Sequence, residues 1–220
     1  MNNSKDTTDS ESKIMDAQGF DKWSENYDAD VQESDADQRY PFAAYHQIMS
    51  RLIELVQPAP NKLILDVGIG TGQLSCMLAD LCCQVTGLDF SDSMLAEARK
   101  VLPTAHLIRW DFTIGLPPDL DQYYDAVFCN YAIHHLSDTE QRELIEQMGR
   151  HLKPEGCLLL GDVMTETAEE MASAMKVDED MWDEEENYLI ADKVRQWFPN
   201  QRIEFERFSY CSGIIKVQRD

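Results

Sequence analysis

The chain has 220 residues, 43% of them hydrophobic, which suits one large domain with its own core. Its formal net charge of −22, from 41 acidic and 19 basic residues, disfavours nucleic acid or an anionic membrane as a partner. No apolar run approaches the roughly 18 residues of a bilayer span and the polar N-terminus has no secretory signal, so we expect a soluble, cytoplasmic protein.

The cysteines point to the same compartment. None belongs to a C-x-x-C pair, and most lie in apolar stretches, so we interpret them as reduced, buried, small hydrophobic residues. The histidines show no metal-ligand spacing either, and we expect no metal. The cysteines are Cys76, Cys82, Cys83, Cys129, Cys157 and Cys211.

The N-terminal region predicts a polar tail followed by helices. Residues 1–12 form the tail, and residues 13–30 carry apolar and aromatic side chains at loosely helical spacing. Residues 41–57 carry seven such side chains at steps of three and four, which predicts an amphipathic helix with Pro41 in its first turn.

Strands and helices then alternate, as they do in a parallel sheet covered on both faces. Ser137 and Glu140 have the spacing of a capping box at the start of a helix that runs through His151. A turn is predicted over 153–156. The predicted strands span 62–68, 83–89, 105–110, 124–130 and 157–163, and the other helices span 72–81 and 92–101.

The C-terminal region changes pattern. Residues 165–186 are acidic and rich in methionine, which indicates either a helical insertion or lid, or only a solvated face, and a helix follows over 191–198. Strands over 202–208 and 211–217 are too close for a parallel crossover, so they predict an antiparallel hairpin. The predicted organisation is one domain over 13–220, made of segments 13–60, 61–163, 164–200 and 201–220.

A glycine-rich loop joins the first strand to its helix. Gly68, Gly70 and Gly72 follow Asp66, and glycine lets a backbone turn sharply and approach a ligand closely. A dinucleotide loop needs glycine or alanine where Gln73 stands, and the Gly-Lys-Ser/Thr of a phosphate loop is absent. The loop alone leaves open an ordinary glycine-rich turn.

Acidic residues also end the next two strands. Asp89 stands one strand–helix–strand unit after the loop, where a carboxylate can accept hydrogen bonds from ribose hydroxyls, although it also precedes a helix that it can cap. Asp111 and Phe112 end the third strand, where an acid and an aromatic ring suit adenine. The carboxyl ends of these parallel strands share one crevice.

This order of motifs resembles the class I S-adenosylmethionine-dependent methyltransferases, of the small-molecule type. The resemblance rests on D-x-G-x-G-x-G at 66–72, the acids that follow, N-Y-A-I-H-H-L at 130–136 and K-P-E-G at 153–156, and it covers roughly residues 20–218. It implies an α/β, doubly wound Rossmann-like sheet of seven strands in the order 3-2-1-4-5-7-6. The last strand is antiparallel, and N-terminal helices are added.

The resemblance implies S-adenosyl-L-methionine as methyl donor. The three glycines would approach its methionine part, with Asp66 orienting their loop. Asp89 would hold the ribose with Phe90 nearby, and Asp111 would face the adenine with Phe112. The full set of predicted donor-binding residues is Trp23, Tyr27, Asp66, Gly68, Gly70, Gly72, Asp89, Phe90, Met94, Asp111, Phe112, Asn130 and Tyr131.

The remaining members of this set carry open alternatives. Asn130 and Tyr131 would lie near the methyl-bearing sulfur. Met94 packs either on the adenine or only in the core. Trp23 and Tyr27 share one helical face, which either folds over the donor or anchors the helix.

Methyl transfer to a small acceptor is a direct displacement that needs alignment and exclusion of water. His134 and His135 are the candidate catalytic bases, with His134 favoured, although either one can instead cap or pack the helix that follows. Trp182 and Tyr188 are candidates to cover the acceptor, and Tyr40 is a further candidate for the site. The alternatives are a non-catalytic protein that binds S-adenosylmethionine or S-adenosylhomocysteine, and a nicotinamide-dependent oxidoreductase.

Overall fold

The computed structural model describes residue 31 and residues 34–219, with the side chain of residue 219 excepted. The predictions for residues 1–30, including Trp23 and Tyr27, lie outside the described residues. The strands are β1 (Leu63–Val67), β2 (Gln84–Asp89), β3 (His106–Arg109), β4 (Tyr124–Asn130), β5 (Leu152–Thr165), β6 (Leu189–Ile190), β7 (Gln201–Arg207) and β8 (Ser212–Arg219).

The sheet follows the predicted topology. Its order is β3-β2-β1-β4-β5-β8-β7, and the two-residue β6 pairs with β5 off this path. Strands β1 to β5 are mutually parallel, whereas β8 runs antiparallel to β5 and β7. The predicted order is confirmed, and only the extra β6 shifts the numbering of the last two strands.

Helices cover both faces of this sheet. They are α1 (Tyr45–Val56), α2 (Gln73–Asp80), α3 (Asp92–Val101), α4 (Asp138–Arg150), α5 (Ala168–Val177) and α6 (Ala191–Trp197). No helix in this part of the chain combines the length and the apolar character that a bilayer span requires.

Two apolar clusters build the core. Because side chains alternate across a strand, Ile64 of β1 joins the cluster under α1, α2 and α3, whereas its neighbour Leu65 joins the cluster under α4 and α6. The strands are therefore buried on both faces, which explains their nearly continuous apolar sequences.

Local capping signals begin three helices at defined residues. The Ser91 hydroxyl accepts from the Met94 amide and starts α3. The predicted box of Ser137 and Glu140 is present at α4, and Thr167 with Glu170 forms a second box at α5. These caps fix where the chain turns from each strand end into a helix.

The first helix begins later than predicted. Residues 41–44 form turns, and Pro41 lies outside the helix because Ala44 adopts a left-handed conformation with φ of 63°. The Phe42 amide donates to Ser34 Oγ at 3.1 Å, and the Ala43 carbonyl accepts from Ser212 Oγ at 2.6 Å. These bonds to distant residues replace helical ones, which local periodicity does not reveal.

The turn predicted over 153–156 does not interrupt the sheet, so this prediction was also wrong. These residues belong to β5, whose pairing moves from Leu152 opposite Tyr124 to Cys157 opposite Ala126. The extra residues bulge out of the ladder while the chain keeps its direction. Proline and glycine in this segment mark a bulge, although the same residues are typical of turns.

Candidate functional site

The glycine loop lies across the carboxyl ends of β1 and β2. Gly68, Gly70 and Gly72 have φ of +77°, +55° and +84°, a region that glycine enters without strain. The amides of Gly68 and Ile69 both donate to the Leu88 carbonyl, at 2.8 and 2.9 Å. The loop is therefore tied to the end of β2.

The glycines differ in what surrounds them. A Cβ on Gly68 would lie 2.6 Å from the Ala132 Cβ, whereas a Cβ on Gly70 would have no atom within 4 Å. Gly70 lines a cavity, so this open space is available to a ligand. Gly72 precedes α2, where a Cβ would lie 2.9 Å from Leu102 Cδ1, and it does not line the cavity.

Two buried carboxylates hold the loop. Asp66 accepts from Ser75 Oγ at 2.7 Å, and burial raises the pKa of Asp66 to about 6 in spite of that bond. Asp89 accepts from the amide of Gly70 at 2.8 Å and from the amide of Ser91 at 2.9 Å. A carboxylate has about four acceptor positions, and these two amides occupy two of them.

Aromatic and apolar side chains flank Asp89. Phe90, Met94 and Phe112 line the cavity and would give a flat ring system apolar contact. Asp111 does not line the cavity. Its Oδ1 accepts from the amide and the hydroxyl of Thr113 at 3.0 and 2.7 Å. Asp111 thus caps the turn over 112–114, and an adenine contact from it stays a prediction.

Asn130 and Tyr131 end β4 on the next stretch of the cavity wall. Asn130 Nδ2 contacts Met49 Sδ at 3.4 Å, and its buried Oδ1 has no hydrogen-bond partner among the described residues. Gly161 leaves room for that oxygen, since a Cβ there would lie 2.3 Å from it. A buried acceptor left without a partner is costly and suits a site completed by a ligand.

The histidine pair follows at the far end of the cavity. His134 Nδ1 lies 2.7 Å from Asp162 Oδ1, and its Nε2 lies 3.6 Å from Glu186 Oε1. Burial lowers the pKa of His134, but Asp162 and Glu186 raise it, and the balance places this pKa at about 9. Burial and the neighbouring His134 lower the pKa of His135 to about 3.

Tyr40 and Tyr188 form a hydrogen-bonded aromatic pair beside the histidines. Tyr40 stacks on Trp182 with ring centroids 4.7 Å apart, and its hydroxyl bonds to the Tyr188 hydroxyl and accepts from the Asp183 amide. Tyr188 in turn donates to Glu186 Oε2 at 2.5 Å. The acidic segment predicted as an insertion therefore has one helix, α5, and then an irregular stretch that packs over the site.

One cavity of about 320 Å³ joins these parts. It brings together most of the predicted donor-binding residues and both histidines, and Gly72 and Asp111 stay outside its wall. The predicted residues that line it are Asp66, Gly68, Gly70, Asp89, Phe90, Met94, Phe112, Asn130, Tyr131, His134 and His135.

The sequence analysis missed two acids at the histidine end. Asp162 is fully buried within the apolar strand β5, and Glu186 lies in a charge run that is typical of a solvated face. A lone acid in an otherwise apolar strand is itself a signal, because a buried carboxylate needs a partner. Nothing comparable distinguishes Glu186 from its acidic neighbours.

Comparison with known proteins gives a consistent family. Residues 64–156 match the model of a methyltransferase domain. An uncharacterized methyltransferase from Oceanobacillus iheyensis is 33% identical over 213 residues, which cover 91% of this chain and 95% of that protein. Another, from Staphylococcus carnosus, is 32% identical over 149 residues, 67% of this chain and 68% of that protein.

Solved structures share the fold. The DhpI–SAH complex superposes with a TM-score of 0.69 at 18% identity and covers 92% of this chain and 94% of that one. Magnesium protoporphyrin IX methyltransferase from Synechocystis PCC 6803, with bound SAH, has a TM-score of 0.62 at 19% identity, covering 81% and 84%.

Proposed function

This chain belongs to the class I S-adenosylmethionine-dependent methyltransferases, and we propose that it methylates a small-molecule acceptor by direct displacement, releasing S-adenosylhomocysteine. The observation that carries the proposal is the single cavity that runs from the glycine loop and Asp89 to the two histidines. Donor and acceptor would meet inside it, since a reaction without a covalent enzyme intermediate requires both at once.

The residues at the glycine end fit the donor. Asp89 would accept from the ribose hydroxyls, and Phe112 and Met94 would pack on the adenine. The open space at Gly70 would admit the methionine part, and Asn130 and Tyr131, which line the cavity, would lie near the sulfonium. When bound, the donor supplies a methyl group that its positive sulfur makes electrophilic.

The histidine end would bind and orient the acceptor. At neutral pH the carboxylates of Asp162 and Glu186 keep His134 protonated, so it holds a positive charge and does not accept a proton. His135 is neutral at neutral pH, so one of its ring nitrogens keeps a basic lone pair, and it is the better candidate to act on the acceptor. This reverses the preference for His134 that the sequence suggested, and both roles remain part of the proposal.

The cavity wall favours a neutral or cationic acceptor. Asp183 and Glu186 line the cavity, and no lysine or arginine does so among the described residues. The net charge of −22 likewise disfavours a nucleic acid as substrate. Six free cysteines are compatible with the reducing cytoplasm, where we place the enzyme.

Two measurements on one pair of variants test the proposal. Calorimetric titration of S-adenosylhomocysteine tests the donor site, and formation of that product from S-adenosylmethionine over a panel of small amines, alcohols, thiols and acids tests turnover. Asp89→Asn should weaken binding by about 10-fold to 150-fold, because charged hydrogen bonds contribute about 1.5–3 kcal/mol. Asp92→Asn removes a carboxylate that is 71% exposed and should change nothing.

The outcomes separate the alternatives. Binding together with acceptor-dependent product supports a methyltransferase of small molecules. Binding without product for any acceptor would favour a non-catalytic binding protein. If S-adenosylhomocysteine does not bind, or if both variants bind it as the wild type does, the proposed donor site is wrong.

A further inference from the structure

We propose that His134, His135 and Glu186 form a binding site for one divalent first-row metal ion at the histidine end of the cavity. Three potential ligand atoms, one from each residue, lie within 4.8 Å of one another. Glu186 Oε1 lies 3.6 Å from His134 Nε2 and 3.7 Å from His135 Nδ1. Both distances are longer than a hydrogen bond and short enough for a shared ion.

Side-chain movements would bring the three ligand atoms to the distances that a shared ion requires. Metal bonds of about 2.0–2.1 Å place neighbouring ligand atoms about 3.0–3.4 Å apart, depending on coordination number. Each carboxylate-to-imidazole distance therefore needs to shorten by about 0.2–0.7 Å. The ligand nitrogens of His134 and His135 lie within 4.8 Å of each other, so they would have to approach by up to about 1.8 Å.

Hydrogen bonds to the far side of His134 and of Glu186 orient their ligand atoms. Asp162 Oδ1 lies 2.7 Å from His134 Nδ1, which leaves Nε2 directed toward Glu186, and a bound ion would displace the Nε2 proton that His134 carries at neutral pH. A carboxylate on the far nitrogen of a histidine is the usual outer partner of a metal-binding imidazole. Tyr188 plays the same part for Glu186, because it donates to Oε2 and leaves Oε1 toward the histidines.

The backbone also fixes Glu186 beside the histidines. The next residue, Asn187, donates its amide to the His134 carbonyl at 2.8 Å. Its side-chain amide donates to the Leu136 carbonyl at 3.2 Å and to Asp138 Oδ1 at 3.0 Å. Two segments that are distant in sequence are thus joined at the point where their ligand atoms face each other.

The ligand set indicates the class of ion. Two imidazoles and one carboxylate suit zinc, iron, manganese or cobalt, whereas magnesium and calcium prefer oxygen ligands alone. The surrounding charge suits a cation as well, since the carboxylates of Asp162 and Asp183 also lie at this end. Three protein ligands leave coordination positions open toward the cavity.

A role for the ion rests on the proposed function. An acceptor hydroxyl bound at an open position would lose its proton to solvent, because a metal lowers the pKa of bound oxygen. The oxygen lone pair would form the new bond to the methyl carbon as the carbon–sulfur bond breaks, and the sulfur would keep that electron pair.

Cobalt titration of the untagged, chelator-treated full chain tests the site directly. We expect one Co²⁺ per chain with visible absorption from imidazole and carboxylate ligands, and displacement by one Zn²⁺. His135→Ala and Glu186→Gln should each weaken Co²⁺ binding at least 10-fold. His151→Ala removes a histidine outside the cavity and should leave binding unchanged, and Cys82→Ser controls for the exposed thiol.

Calorimetry with S-adenosylhomocysteine on the same variants shows whether they are folded and whether the donor site is intact. Normal binding of this ligand with impaired Co²⁺ binding in both ligand variants supports the metal site. Absence of stoichiometric Co²⁺ binding, or equal Co²⁺ binding in wild type and both variants, would overturn it. If the wild type does not bind S-adenosylhomocysteine, only the proposed donor site is refuted, and the Co²⁺ titration still decides the metal site.

Discussion

Substitution of Gly70 and of Gly68 by alanine should separate an effect on ligand binding from an effect on stability. Both glycines have positive φ in the same loop, at +55° and +77°. Only Gly70 has open space where a Cβ would stand, and that space belongs to the cavity. Gly70→Ala should therefore fold and bind the donor poorly, whereas Gly68→Ala should mainly lose stability.

The magnitudes follow from these surroundings. A left-handed conformation costs a residue other than glycine about 1–2 kcal/mol, which applies to both variants. At Gly68 the new Cβ would lie 2.6 Å from the Ala132 Cβ. Overpacking of this kind costs about 1–3 kcal/mol more, so the expected losses are about 2–5 kcal/mol for Gly68→Ala and about 1–2 kcal/mol for Gly70→Ala.

Urea unfolding at 25 °C and calorimetric titration of S-adenosylhomocysteine measure the two effects. For Gly70→Ala we expect affinity to fall about 5-fold to 150-fold, which corresponds to about 1–3 kcal/mol of steric conflict with the bound ligand. Equal unfolding free energies for the two variants would contradict the packing argument. Wild-type affinity in Gly70→Ala would show that the ligand does not approach the loop there.

Three further changes test other parts of the structure. Asp66 has a folded-state pKa of about 6 against 3.8 for a solvated aspartate, so the folded protein holds an extra proton between these values and gains stability as pH falls. The unfolding free energy of the wild type, relative to Asp66→Asn, should rise by about 1.4 kcal/mol from pH 7.5 to pH 5, and a flat difference in urea titrations would exclude this. Ser137→Ala removes the cap of α4 and should lower the unfolding free energy by about 1 kcal/mol. An unchanged midpoint of urea unfolding would mean that water replaces the cap. Tyr188→Phe removes the hydroxyl that bonds to Glu186 and Tyr40 and should cost about 1–3 kcal/mol, whereas an unchanged thermal midpoint would mean that these bonds add nothing.

The sheet and the glycine end of the cavity were predictable because their signals are local. Each parallel strand is a short apolar run, and Asp66, Asp89 and Asn130 stand at strand ends beside it. Parallel strands bring such ends to one edge whatever the intervening helices contain. The start of α1 was not predictable, because its position depends on side chains outside the helix: Ser34 accepts from the amide at 42, and Ser212, on the distant β8, donates to the carbonyl at 43.

The histidine end lacked such a signal for a physical reason. Its members come from the loop after β4, from the middle of β5 and from the irregular stretch after α5, and only tertiary packing brings them together. Asp162 owes its place to the register of β5, which pairs it with Gly213. A bulge at 153–156 shifts the register of β5 against β4, and the sequence offered this segment only as a turn.

The two ends of the cavity therefore depend on different parts of the chain. The glycine loop is tied to β2 by backbone hydrogen bonds and by the bond from the Gly70 amide to the Asp89 carboxylate, so the core of the sheet fixes its geometry. The segment 178–188 is held by side chains such as Tyr40 and by the backbone bond between Asn187 and His134. Under the proposed function, substitutions in that segment would change acceptor choice while the donor affinity, set by the sheet, stays the same.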